Sequence, residues 1–172
     1  MSPDNKADIN TTLHTDSFTA LFTAAKNGNA KAMKTLLDNN ADVNASCAEE
    51  GATALIVAAE EGHVEVLKML LNNNANVNAN CCTGDGFTAL YIAARNGHVD
   101  VVKTLLDYNA DVNARRTDGA TALHVAALNG HEDVVKTLLD YKADVNASRT
   151  GGDKPIDTAG RNHHGDIVKL LQ

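Results

Sequence analysis

One three-residue phrase returns five times at almost constant intervals. Thr19-Ala20-Leu21, Thr53-Ala54-Leu55, Thr88-Ala89-Leu90, Thr121-Ala122-Leu123 and the diverged Lys154-Pro155-Ile156 stand 34, 35, 33 and 33 positions apart. A period in this range means one supersecondary unit copied end to end. A unit this small cannot bury its own apolar face. Copies must lean on one another, and the core becomes a continuous layer between them.

The copy at residues 121–147, TALHVAALNGHEDVVKTLLDYKADVNA, shows the unit most fully. Thr121 precedes an apolar run, where its hydroxyl oxygen can accept from a free amide of the first helical turn. Leu123, Ala126 and Ala127 recur at helical spacing, and the alanines let a neighbouring helix come close. Asn129-Gly130 breaks the helix. Glu132 and Asp133 then open a second helix at the end where acids suit the dipole. Val134, Val135, Leu138 and Leu139 give it one apolar face, and Lys142 marks its far end. A polar connector, ADVNA, follows at Ala143; the same phrase starts at Ala41 and Ala110, with ANVNA at Ala75.

These motifs closely resemble the ankyrin repeat family, whose pattern runs through TPLHxAAxxGH and LLxxGADVNA. The resemblance covers residues 15–172, with several independent positions matching in each of five copies. It implies an all-α solenoid of stacked helix-turn-helix units with projecting β-hairpin loops. Four full repeats (about 15–46, 47–80, 81–115 and 116–148) and a partial fifth (149–172) are expected in a single domain, behind an N-terminal leader at 1–14. Alanine replaces the family's proline in four copies, and only Pro155 keeps it, a change of small cost at a first helical position. The family's glycine before ADVNA becomes Asn40, Asn74, Asn109 and Lys142. Asparagine tolerates left-handed backbone; lysine fits that position poorly.

Composition narrows the function. A net charge of -7 and a pI near 5.4 argue against a nucleic-acid partner. The first ten residues lack an apolar segment and no apolar run approaches a membrane span, so neither signal peptide nor membrane anchor is expected. Cys47, Cys81 and Cys82 are too few and too adjacent for a disulfide framework, which suits an intracellular compartment. Two of the connectors, those preceding Thr53 and Thr88, are the longest and carry all three cysteines. His63, His98, His131 and His164 recur once per repeat, so the repeat explains them better than a metal site does; the resemblance implies a hydrogen-bonding role between helices. No phosphate loop, nucleophile elbow or dinucleotide fingerprint is present. No catalytic residue, cofactor or metal is expected.

What varies on the fixed scaffold is informative. In the family, the hairpin tips and the exposed side of the first helix line a concave groove that binds other proteins. Here the residues after the alanine pair are Lys26-Asn27, Glu60-Glu61, Arg95-Asn96, Leu128-Asn129 and Arg161-Asn162. Glu49, Glu50, Glu60 and Glu61 crowd repeat two, whereas Arg95, Arg115, Arg116, Arg149 and Arg161 fall in repeats three to five, predicting a groove that runs from acidic to basic. Phe87 and Tyr91 stand between these poles, aromatic and arginine anchors being enriched in binding hot spots. The expected function is a monomeric, non-catalytic module that binds a partner protein through Glu49, Glu50, Glu60, Glu61, Phe87, Tyr91, Arg95, Asn96, Arg116 and Leu128. Two alternatives fit the same residues: an architectural spacer of a longer repeat protein, or an engineered or reconstructed scaffold with no native partner. The resemblance also marks Asn44, Asn113 and Asn146, each eight residues after a leucine in an Leu-x5-Asp-Val-Asn context, as candidates for an asparaginyl hydroxylase.

Overall fold

A computed structural model describes residues 20–46, 51–81 and 84–172. They form ten helices in five hairpins. The first members are α1 (Ala20–Lys26), α3 (Ala54–Glu61), α5 (Ala89–Asn96), α7 (Ala122–Asn129) and α9 (Pro155–Arg161). The second members are α2 (Ala30–Asp38), α4 (Val64–Asn72), α6 (Val99–Asp107), α8 (Glu132–Asp140) and α10 (Gly165–Leu170). First helices pack in one row and second helices in another, each hairpin packing chiefly against its neighbours. This is the solenoid that the repeat period predicts. Among the described residues no helix is long and apolar enough to cross a membrane.

The two rows differ because their side chains differ. The first helices meet through alanine: Ala25, Ala58, Ala59, Ala93, Ala94, Ala126 and Ala127 have no exposed surface. Small side chains let this row pack more tightly than the second, which interlocks larger residues such as Leu67, Leu70, Leu105 and Leu138. Tighter spacing on one side bends a stack toward that side. The first-helix face is therefore the inner one.

Local chemistry sets the ends of each helix. Thr53 and Thr88 accept from the amides of Ile56 (3.4 Å) and Tyr91 (3.2 Å), as N-cap threonines should. Thr121 caps α7 through a box with His124: its hydroxyl lies 3.0 Å from Nδ1 of that ring, and its own backbone N–H donates to the same nitrogen at 3.2 Å. Each of the first four second helices closes through a residue in left-handed conformation. The amides of Ala41, Ala75, Ala110 and Ala143 reach back to the carbonyls of Leu36, Leu70, Leu105 and Leu138, and the residues just before them carry positive φ: Asn40 (60°), Asn74 (65°), Asn109 (62°) and Lys142 (67°).

The connectors stack in register. Asn44 Oδ1 accepts from the amide of Asn76 (2.8 Å), Asn78 from Asp111 (2.9 Å) and Asn113 from Asp144 (2.8 Å). Within each connector the first Asx side chain accepts from the amide two residues on, as Asp111 does from Asn113 at 2.9 Å. The result is a polar ladder down the stack. The projecting loops are thinner than β-hairpins: single antiparallel bridges join Ser46 to Thr53 and Asn80 to Thr88, and among the described residues no longer ladder forms. Successive loops are stitched together, Thr117 N–H donating to Asp85 (3.2 Å) and Thr150 N–H to Asp118 (2.7 Å). Of the cysteines, Cys81 is half-buried; Cys47 and Cys82 lie outside the described residues, as does the leader expected at 1–14.

Lys142 alone places a long side chain where its three counterparts place asparagine. Lys142→Gly removes the steric cost of a left-handed Cβ and should raise unfolding free energy by about 0.5–1 kcal/mol, read from urea denaturation. Asn109→Gly should gain less, because asparagine already tolerates the conformation.

Candidate partner-binding surface

The inner face is built around one atom per repeat, the carbonyl oxygen at or near the end of each first helix. His63 Nε2 bonds Lys26 O (3.1 Å), His98 bonds Glu60 O (2.9 Å), His131 bonds Arg95 O (2.9 Å) and His164 bonds Leu128 O (3.1 Å). A carbonyl acceptor requires that each Nε2 carry the proton. Each ring also lies over a glycine of the repeat before. A Cβ at Gly28, Gly62, Gly97 or Gly130 would approach the ring of His63, His98, His131 or His164 to between 2.6 and 3.0 Å, too close for any other residue. These histidines are couplers between repeats. Among the described residues no group of three His, Cys, Asp or Glu side chains could hold a metal ion.

Lys26, Glu60, Arg95, Leu128 and Arg161 form a column of side chains at the ends of the first helices, the carbonyls of the first four held by these histidines. Their sequence-expected roles divide. Glu60 and Glu61 are exposed. Arg95 bonds Glu60 through Nη2 (3.1 Å) and Asn96 Oδ1 through Nε (3.3 Å). In this pair one charge of repeat two and one of repeat three meet and offset each other. The pair is 38% and 49% exposed, so it shapes the surface more than it stabilises the fold. Asn96 serves the scaffold, its Nδ2 donating to Glu60 O (2.9 Å), and Asn129 repeats the bond to Arg95 O (3.0 Å). Leu128 is 42% exposed; Leu128 and Leu170 are the exposed large apolar residues among those described. Glu49 and Glu50 lie outside the described residues.

Tyr91 is not a surface anchor. It is 8% exposed, and its counterparts Phe22, Ile56 and His124 are equally buried at 8, 3 and 3%. An interior first helix (α3, α5 or α7) packs against two like helices and its own partner, leaving only its last residues in water. Removing the Tyr91 ring would hollow the core rather than trim a contact. Its ring centroid lies 5.4 Å from that of Phe87, which is half-buried. Arg116 from the next loop closes the cluster, its guanidinium carbon 4.5 Å from the Phe87 centroid and 5.7 Å from that of Tyr91. Asp118 flanks the same guanidinium at 3.5 Å. Phe87, Tyr91 and Arg116 thus pin loop to loop by cation–π attraction.

Beyond them Arg149 and Arg161 share the carboxylate of Asp153, and Arg115 donates to Ser148 O (3.0 Å). Hydrogen bonds from Arg161 and then Arg149 hold the Asp153 carboxyl below its usual range. Asn44, Asn113 and Asn146 are exposed on the connectors, the oxygens of the first two engaged in the polar ladder and that of Asn146 accepting from Lys154 Nζ (3.1 Å).

A family model described as ankyrin repeats (3 copies) matches residues 2–81, 48–116, 75–149 and 114–172, and the chain belongs to the ankyrin repeat family. Comparison with curated proteins finds no match. Ankyrin repeats are in general protein–protein interaction modules, and the family is typically non-catalytic. The first match opens at residue 2, and the ADIN of residues 7–10 stands in register with the connector phrase at Ala41.

His124 gives the stack a titration. Burial pushes its imidazole below the usual range, helped by the positive charges of Arg149 and Arg115 and opposed by its bond to Asp153 O and by the charge of Asp118. Nδ1 accepts from Thr121 and Nε2 donates to Asp153 O (3.2 Å), so the neutral ring is satisfied on both sides. The unfolded chain takes up the proton first. Stability is complete above the unfolded pKa near 6.5 and falls as pH drops below it, until the folded ring also titrates. His124→Ile, the residue type at the same place in repeat two, should lessen the acid-side slope by up to about 1.4 kcal/mol per pH unit, measured by urea denaturation across pH 5 to 7.

Proposed function

We propose that this protein captures a partner protein on its inner face, through the column Glu60, Glu61, Arg95, Leu128 and Arg161 together with the loop edges carrying Arg115 and Arg116. The observation that carries the reading is a division of labour at the first-helix ends of repeats one to four. The backbone carbonyl is committed to the neighbouring histidine, while the side chain on the same residue faces water and changes character from one repeat to the next. Leu128 supplies the apolar centre. Arg95 and Arg161 occupy the column on either side of it, the arrangement of an anchor within a polar rim. Glu61 stands where the other repeats carry asparagine, and it gives the repeat-two end a negative character. Phe87 and Tyr91 contribute by holding the loop edges in place. Asn44, Asn113 and Asn146 belong to the proposal as modification sites on the connectors, away from the column.

Cross-linked capture from the source cells, with mass spectrometry, tests the assignment. The partner held by the wild type should be lost, or weakened by about tenfold, in Leu128→Asp and in Arg161→Ala, and association should slow as salt rises. Lys103→Ala, on the outer row, should retain it. Equal capture by all four proteins contradicts the reading.

A further inference from the structure

Three Asn-Gly steps occur in the chain, Asn27-Gly28, Asn96-Gly97 and Asn129-Gly130, at one equivalent turn of three repeats. Asn-Gly is the dipeptide in which a backbone amide attacks a side-chain amide most readily, because glycine puts no Cβ in the way. All three asparagines are exposed, so access to water does not separate them. Their bonding does. Asn96 Nδ2 is held by Glu60 O at 2.9 Å and Asn129 Nδ2 by Arg95 O at 3.0 Å. Both are the last residues of full helical turns, α5 and α7, with the following glycine amides bonded to Ala93 and Ala126. α1 instead ends at Lys26, one residue short, leaving Asn27 in the turn. Gly28 N–H makes a tighter bond to Ala25 O (3.2 Å), three residues back. Asn27 Nδ2 has no hydrogen-bond partner among the described residues, and the side chain lines an open cleft beside Thr23, Ala24 and Asn29.

We infer that Asn27 is a spontaneous deamidation site, while Asn96 and Asn129 are shielded by the stack. The Gly28 backbone nitrogen would attack Cγ of Asn27, forming a nitrogen–carbon bond as the side-chain nitrogen leaves as ammonia. One water then opens the resulting succinimide at either carbonyl, giving aspartate or isoaspartate. For Asn96 or Asn129 the same step requires first breaking the amide's bond to the neighbouring repeat, so it proceeds only through local opening. The change at Asn27 matters to its surroundings. It adds a negative charge beside Lys26, at the first position of the column. Isoaspartate also lengthens the main chain between the carbonyl that receives His63 and the glycine on which that ring rests.

Peptide mapping by mass spectrometry, after incubation at mildly alkaline pH, tests this directly. Native protein and protein in urea are compared, with digestion that keeps each Asn-Gly step inside a peptide. In urea the three sites should convert at similar rates, since they share the same dipeptide. In the native protein Asn27 should convert at least about tenfold faster than Asn96 and Asn129, the suppression expected when a hydrogen bond and a helical turn must open first. Equal conversion of all three sites in the native protein, or an Asn27 as slow as the other two, overturns the inference. So does a preference for Asn27 that survives unchanged in urea, because it would then owe nothing to the fold.

Discussion

A histidine ring resting on the glycine of the repeat before it, and donating to the last carbonyls of that repeat's first helix, is the contact on which this molecule depends. It occurs four times, from His63 on Gly28 to His164 on Gly130. It satisfies a helix-end carbonyl that the helix itself leaves open. It also sets the spacing between units, because the ring fits only where no Cβ stands. The alanine interfaces of the first helices follow from that spacing, and so does the inner face. His163 shows the rule from the other side. It takes the glycine's place in repeat five with φ of 62° and is exposed, whereas every glycine at that place in the earlier repeats carries a ring.

The same arrangement separates structure from recognition. Backbone and framework side chains are used up between repeats: the histidines, the asparagines of the ladder, Asn96 and Asn129, and the loop pins Phe87, Tyr91 and Arg116. What remains outward is a short column whose chemistry changes along the stack. A scaffold of this kind can alter its surface at Leu128 or Glu61 without touching its core.

The fold was legible because its signals are periodic. Thr-Ala-Leu, Gly-His and ADVNA each recur at the repeat interval, and the structure turns each into a cap, a seat or a ladder rung. The candidate site was less legible. Tyr91 resembles a groove residue when it is compared only with Phe22, Ile56 and His124, since that column varies. The helix around it tells otherwise: ALYIAA, like ALIVAA in repeat two, has no polar face, the pattern of a helix buried on every side. Asn96 and the Glu60–Arg95 pair were misleading for a different reason. Their bonds cross to a residue about 35 positions away, and charge counted along the chain does not show which charges meet.

The coupling role of the ring-on-glycine contact can be measured by pairing two substitutions. Gly97 and Gly152 both have left-handed backbone, φ of 77° and 86°, but only Gly97 faces a ring; nothing lies within 4 Å of a Cβ at Gly152. In urea unfolding, Gly152→Ala should cost only the backbone strain, about 1–2 kcal/mol with the slope unchanged. Gly97→Ala should cost clearly more and broaden the transition, as repeats three and four uncouple around His131. Equal losses with equal slopes in the two variants would contradict the account.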